Sequence, residues 1–469
     1  MSTRTSTLLG RALILLLLVV VGAVVAARTI GVRLEVDGSG MRPMLSRFNE
    51  DAHFDALESD RAERGPSAPT SAGRAVSSAL ADRRPERFWP AYRGATRTGR
   101  YDHPITTDWP DDGLPRRWHH PIGGGYASFV VAEGRLFTIE QRRASEVVAA
   151  YDPDSGVELW THEWDEQFQE TMGGDGPRAT PTWDDGRLFA LGAGGELRSL
   201  AADTGRLLWR TNILEDAGAG NLTWAMSASP LVVDNMVVVL PGGRAGHSVV
   251  AYDADTGDTL WTTLDDVAGY TAPMLVELAG VRQILVVTAG RAAGLRVEDG
   301  TLLWDYPWVV SNVPNMAQPI VVGPNRLFIS ASYGQGSAMV EVTRTGDGLA
   351  AREVWRTNRM KNKFSSSVLH EGFIYGLDDN ILACMDAETG ELVWKGGRYG
   401  YGQLLFAAGH LVVLTERGEI ALVRATPDGH EEVDRFTAIA GKTWNVPTIA
   451  DGTLFVRNTT EMAAFDIRP

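Results

Sequence analysis

The side chains best suited to chemistry lie in three stretches, 356–370, 395–415 and 437–450, which contain lysines and arginines but no aspartate or glutamate. They hold Lys361, Lys363, Lys395, Arg398 and Lys442, together with Tyr399, Tyr401, Gln403, Trp444 and Asn445. Ammonium and guanidinium donors interleaved with rings and carboxamides suit an anionic or carbonyl-rich ligand, or an extended strand of a partner protein. The chain as a whole has a net charge of −15, so these stretches stand apart from it. Two readings stay open. The cations form a binding rim, or they are solvated or paired with an acidic arc in the first half that includes Glu163, Asp165, Glu166, Glu170, Asp175, Glu215, Asp216, Asp265 and Asp266.

Other arrangements that would do chemistry are weak. His119 and His120 are adjacent, and neighbours on a strand point to opposite faces, so they do not share a metal easily. The strings Asp152–Gly156 and Asp253–Gly257 have the spacing of a calcium loop but lack the chelating glutamate further on, and read as turns. Gly123–Gly125 and Gly173–Gly174 read as loop glycines. There is no G-x-S-x-G, P-loop or H-E-x-x-H string. The one cysteine, Cys384, sits in the apolar run ILACMD and is expected to be a small buried hydrophobe. No catalytic residue, metal site or cofactor is assigned on this basis. A sequence pI near 5.1 also argues against a nucleic-acid partner, which requires a basic face.

The elements that position these residues come from one repeated phrase. YDADTGDTLW at 252–261 has near-copies at 151–160 (YDPDSGVELW), 200–209 (LAADTGRLLW) and 385–394 (MDAETGELVW), with looser ones ending at Trp304, Trp355 and Phe436. Each reads as a strand end, a tight turn and a second strand. The aspartate bonds backbone two residues on, and the glycine supplies positive φ. Trp118, Trp160, Trp209, Trp261, Trp304, Trp355, Trp394 and Phe436 lie 39 to 52 residues apart, the length of a four-stranded propeller blade. The final residues supply three more strands, so the strand ending at Trp118 is expected to complete them. The fold class is therefore all-β, an eight-bladed β-propeller of four-stranded antiparallel blades closed by pairing the two ends of residues 88–469. Strands such as 231–240 are apolar on both faces, which suits blades covered on both sides. The tryptophans are expected to wedge between blades. Links between blades then lie on one face of the ring and the turns on the other.

The phrase D-x-x-T-G-x-x-x-W resembles the repeat of the pyrroloquinoline-quinone (PQQ)-like β-propeller proteins, over roughly residues 88–469. That superfamily includes quinoprotein alcohol dehydrogenases and the lipoprotein of the outer-membrane β-barrel assembly machine. The lead-in WPAYRGATRTG (89–99) is similar to the W-P-x-F-R-G-x-x-R-x-G of a bacterial subgroup of exported PQQ-like repeat proteins, with Tyr92 in place of Phe. The dehydrogenases add an adjacent cysteine pair over the cofactor and a calcium site. A single cysteine cannot supply that pair, so the resemblance implies the fold without the cofactor.

Residues 1–28 read as a targeting segment: Arg4 and Arg11 precede an uncharged run, 12–27, ended by Arg28. Both a retained membrane helix and a cleaved signal peptide fit it. No cysteine follows the run, so lipid attachment of the assembly-machine kind is not available. Residues 29–87 are polar and read as a tether, with a short helix within 41–60. The expectation is an exported monomer, anchored to the inner membrane with its propeller in the periplasm or otherwise outside the cytoplasm. It would act as a non-catalytic interaction or scaffold module, with an envelope protein or an anionic ligand as partner. The alternative is a PQQ- or other ligand-dependent periplasmic oxidoreductase or sensor.

Overall fold

A computed structural model describes residues 31–65, 85–311, 313–346 and 348–469. The targeting segment, 1–28, lies outside the described residues. Among those described, no helix is long and apolar enough to cross a membrane.

The repeat builds eight meandering antiparallel blades, each ordered from an inner to an outer strand. Blades 1 to 7 span 130–165, 182–212, 231–263, 274–307, 320–357, 368–398 and 403–437. Blade 8 consists of Thr448–Ala450, Thr453–Arg457 and Glu461–Asp466, completed by Arg116–Pro121, with Ala464 opposite Trp118. The ring therefore closes as the tryptophan spacing predicts.

Each phrase folds for the reasons its residues suggest. Asp253 Oδ1 accepts the backbone N–H groups of Asp255 and Thr256 at 2.8 and 2.9 Å, and Asp386 does the same for Glu388 and Thr389. Asp152 likewise accepts from Asp154 and Ser155, so the first carboxylate of each calcium-like string serves its own turn. Beyond the turn, the pairing of the third and fourth strands slips by one residue in every blade. In seven blades the bulged residue directly precedes the tryptophan. A bulge turns one residue out of the ladder and sharpens the local twist. Leu208, Leu260 and Val393 are accordingly exposed, while the indole after each lies against the next blade. In blade 7 the bulged residue is Val433, so Asp434 occupies the tryptophan position and Phe436 stands two residues beyond it on the same face. The aromatic spacing placed Phe436 in that position because side-chain direction repeats every two residues.

Trp118, Trp209, Trp261 and Trp304 are buried, and Trp160, Trp355 and Trp394 are half-buried. Five indoles donate to a turn carbonyl of the following blade: Trp118 to Pro153, Trp160 to Ala202, Trp209 to Ala254, Trp355 to Ala387 and Trp394 to Thr426. Trp304 donates instead to Gln283 of its own blade, because blade 5 replaces the tight turn by a long hairpin, Gly336–Thr345 and Gly348–Thr357.

The segment expected to be a polar tether is folded over 31–65. Val32–Val36 and Pro43–Arg47 form a hairpin, and Glu50–Arg64 forms a helix. The helix begins at Glu50 rather than near 41, because Asn49 caps it by accepting the N–H of Ala52. It buries Phe54 and Leu57 and docks on blades 8 and 1. The His53 ring bonds the Ile122 carbonyl, Arg61 pairs with Glu158, and Arg143 reaches back to Asp55 and Glu58.

Candidate functional site

Because each blade starts at the axis and ends at the perimeter, every link between blades returns along one face. The tips of the second hairpins lie on that face too. The links converge on the axis, where the ring would otherwise be open. Two segments from the amino-terminal part of the chain occupy it.

The first is the lead-in. Trp89 bridges Val131 of blade 1, and Arg100–Tyr101 joins the inner strand of blade 7 in parallel. Between these points the chain crosses the axis. Arg97 donates to the carbonyls of Ser229, Pro230 and Pro273, at the inner edges of blades 3 and 4. Arg93 donates to those of Ser367 and Leu404, at blades 6 and 7. Both guanidiniums are buried and use backbone oxygens where a carboxylate would be usual. Desolvation pulls Arg97 down to about 9. The sequence offered the lead-in as a family mark; its role as an axial cross-tie depends on carbonyls from four separate blades.

The second is the loop of the hairpin, Asp37–Gly40. Between it and the lead-in lies a cavity of about 360 Å³. Its walls include Tyr126, Trp224, Tyr270, Tyr333, Phe364 and Trp444, with Arg178, Lys363, Gln403 and Tyr92 among them. The rings of Phe364 and Trp444 pack at a tilt, 4.6 Å between centroids. Lys363 is 9% exposed, with its ammonium 5.0, 5.2 and 5.1 Å from the ring centres of Tyr333, Phe364 and Tyr401. Burial lowers its pKa, and burial pushes the Tyr401 phenol up to about 12. Arg178 lies 4.9 Å from the centre of the Phe168 ring and donates to the carbonyls of Gly174 and Gly176. Neither cation has a carboxylate within 4 Å among the described residues.

The rim residues singled out from sequence divide into groups. Lys363, Gln403 and Trp444 line the cavity, and Tyr401 packs on Phe364 beside it. Gln403 donates to the carbonyls of Phe364 and Trp444, tying three links together. Lys442 lies over the Trp444 ring and reaches the Gly173 carbonyl. Asn445 is fully buried and donates to Gly125 and Ala127. Lys361 and Lys395 both bind the buried Asp378, at 2.5 and 2.7 Å. Tyr399 is turned into the seam with blade 7, where its hydroxyl bonds Glu432 and His430. Arg398 is exposed. The paired lysines thus use an acid of blade 6, not the acidic arc of the first half.

Sequence reasoning missed Tyr126, Arg178, Trp224, Tyr270, Tyr333 and Glu416. Tyr126, Arg178, Trp224 and Tyr270 belong to the links between blades, whereas Tyr333 and Glu416 sit at the tips of the second hairpins of blades 5 and 7, which carry no repeat signal. Which link residue faces the axis depends on how eight blades are arranged around it.

The family described as outer membrane protein assembly factor BamB, a PQQ-like repeat family, matches residues 144–396, more than half of the chain. This chain belongs to that family. The matched stretch runs from the third strand of blade 1 to the last strand of blade 6. Among relatives, the BamB of Yersinia pestis is 23% identical over 288 residues, which is 59% of this chain and 70% of that protein. Among solved structures, BamB from Moraxella catarrhalis superimposes with a TM-score of 0.55 at 17% identity, over 76% of this chain and all of that one. The quinohemoprotein alcohol dehydrogenase of Comamonas testosteroni superimposes with a TM-score of 0.62 at 13% identity, over 88% and 84%. These superpositions show that the PQQ-like propeller fold is shared.

Proposed function

We propose that this PQQ-like propeller is an exported, membrane-tethered, monomeric scaffold of the cell envelope, held to the inner membrane through residues 1–28. It recognises an envelope protein on its link face without catalysing a reaction. The observation that carries this reading is the use made of the polar side chains at the axis. Lys363, Arg178 and Gln403 all donate to backbone carbonyls, beside seven aromatic rings. Such a surface binds extended or turned polypeptide, since main-chain groups and ring faces are what it presents. Relatives described as outer-membrane assembly factors support the same class of role.

The test is capture from envelope fractions. Wild-type protein should retain a discrete envelope protein. The double variant Lys363→Ala/Trp444→Ala should lose it, whereas Arg187→Ala on the turn face should keep it. Equal capture by all three would refute the reading.

The shared fold and an axial cavity of about 360 Å³ favour one second reading, a PQQ- or other ligand-dependent oxidoreductase or sensor. The residues present do not fit the quinone. Cys384 is the only cysteine and is buried in the blade 6 strand Ile381–Asp386. The cavity walls bring one carboxylate, Asp37, whose Oδ1 accepts the Ser39 N–H of its own turn. Adding PQQ and calcium to the full chain should leave its thermal midpoint unchanged. A bound ligand at a hundredfold its dissociation constant would add about 2.7 kcal/mol.

A further inference from the structure

The mouth of the axial cavity is closed by a turn of this chain, and the contacts show what the mouth recognises. Among the described residues, the strands Val32–Val36 and Pro43–Arg47 pair only with each other. Their loop carries Asp37, Gly38, Ser39 and Gly40 into the cavity wall. The Lys363 ammonium donates to the Gly38 carbonyl. Glu416 Oε1 accepts the Gly38 N–H at 2.6 Å. A Cβ on Gly38 would lie 2.4 Å from Cβ of Tyr401, so no larger residue fits. The turn holds its own shape, with Asp37 Oδ1 accepting the N–H and hydroxyl of Ser39 and the Gly40 N–H returning to the Asp37 carbonyl. The site therefore reads a carbonyl, an amide and the absence of a side chain, in a turn stiffened by an aspartate.

Two features make this turn replaceable. Lys363 and Glu416 have no ion-pair partner among the described residues, and the Gly38 carbonyl is the one oxygen that Lys363 binds there. Withdrawing the turn leaves the Lys363 ammonium, set among the rings of Tyr333, Phe364 and Tyr401, without its hydrogen-bond acceptor, a state that favours a new occupant with the same groups. The hairpin is also weakly supported. A two-stranded sheet alone is marginal in water, whereas the helix Glu50–Arg64 behind it is pinned to the ring by Arg61–Glu158 and by Arg143. The hairpin can leave while its anchor stays, and that anchor keeps the turn at a high effective concentration.

We propose that the axial mouth is a receptor for an acidic, glycine-containing β-turn presented by a partner protein, and that Asp37–Gly40 is its resident competitor. This rests on the reading that partners dock on the link face, and it names the feature they present.

The probe is a labelled cyclic peptide carrying the sequence of residues 36–41, VDGSGM, added to the full chain. Gly38→Val should expel the resident turn, seen as faster hydrogen exchange at 37–41 with an unchanged thermal midpoint. That variant should bind the peptide at least tenfold more tightly than wild type. Adding Lys363→Met should reverse the gain by at least tenfold, and a peptide with valine at the first glycine should not bind. The proposal is overturned if exchange at 37–41 is unaltered in Gly38→Val. Equal peptide affinity of wild type and variant, no binding to the opened variant, or binding indifferent to Lys363→Met would each overturn it too. Envelope capture that persists without peptide binding removes the receptor and leaves the scaffold. Peptide binding without envelope capture does the reverse.

Discussion

Trp209 donates its indole N–H to the carbonyl of Ala254, 2.8 Å away across the seam between blades 2 and 3. The same ring covers Gly257, where a Cβ would lie 2.8 Å from the indole and φ is +78°. The turn glycine thus has two functions: it adopts the left-handed region, and it lets the neighbouring blade's tryptophan lie flat on the turn. Gly156, Gly205, Gly300 and Gly390 meet Trp118, Trp160, Trp261 and Trp355 in the same way.

Gly257→Ala is expected to cost more than the conformational penalty of about 1–2 kcal/mol for an alanine in that region. Gly246→Ala, at φ +85° with nothing within 4 Å, should show that penalty alone. Denaturant unfolding of the two variants separates backbone strain from the lost seam, and equal losses would remove the packing role.

Trp118→Ala should lower stability by about 3–5 kcal/mol, read from the first unfolding transition. It opens a cavity at the closure and removes the bond to Pro153. Protection from hydrogen exchange should fall first in Glu461–Asp466, which Arg116–Pro121 completes. A uniform loss across all blades would contradict closure at that seam.

The rim cations should separate by what they touch. Arg398→Ala should change stability by less than about 0.5 kcal/mol, as for an ordinary surface substitution. Asp378→Ala should be clearly destabilising, because it leaves Lys361 and Lys395 facing each other where one buried carboxylate joined them. Those two lysines hold the Asp378 carboxyl below the usual carboxylate range even though burial opposes it. Its contribution is present above the unfolded pKa and is lost as pH falls through the folded value. Asp378→Ala should therefore unfold with less acid dependence than wild type.

Glu146 runs the opposite way. Burial pushes its carboxyl up to about 8, opposed by the bond from the Ala193 N–H. The protonated form is favoured in the fold, so stability is fully present below the unfolded pKa and declines as pH rises through about 8. Glu146→Gln should hold its thermal midpoint between pH 5 and pH 9, where wild type loses several degrees. A parallel decline in both proteins would assign the dependence to other groups.

The blade number and the closure of the ring were legible because both are one-dimensional. A phrase recurring every 39 to 52 residues forces a repeat of one sheet unit, and three strands left over at the end require a fourth from the beginning. The one slip, Phe436 in place of Asp434, arose where a bulge shifts register without changing face.

Composition also separated a cation-rich half from an acidic one, yet it did not say which side chains meet. Lys361 and Lys395 turn to Asp378, Tyr399 turns to Glu432, and only Lys363 of the marked cations, with Gln403 and Trp444, reaches the cavity wall. The lead-in that holds Arg93 and Arg97 was visible as a motif, but the carbonyls those arginines tie and the insertion of Gly38 beside Lys363, 325 residues away, left no trace in local pattern. Periodicity along a chain encodes what each segment does with its neighbours in sequence. The axis of a ring is where residues from every blade converge, so the chemistry assembled there was decided by the tertiary structure alone.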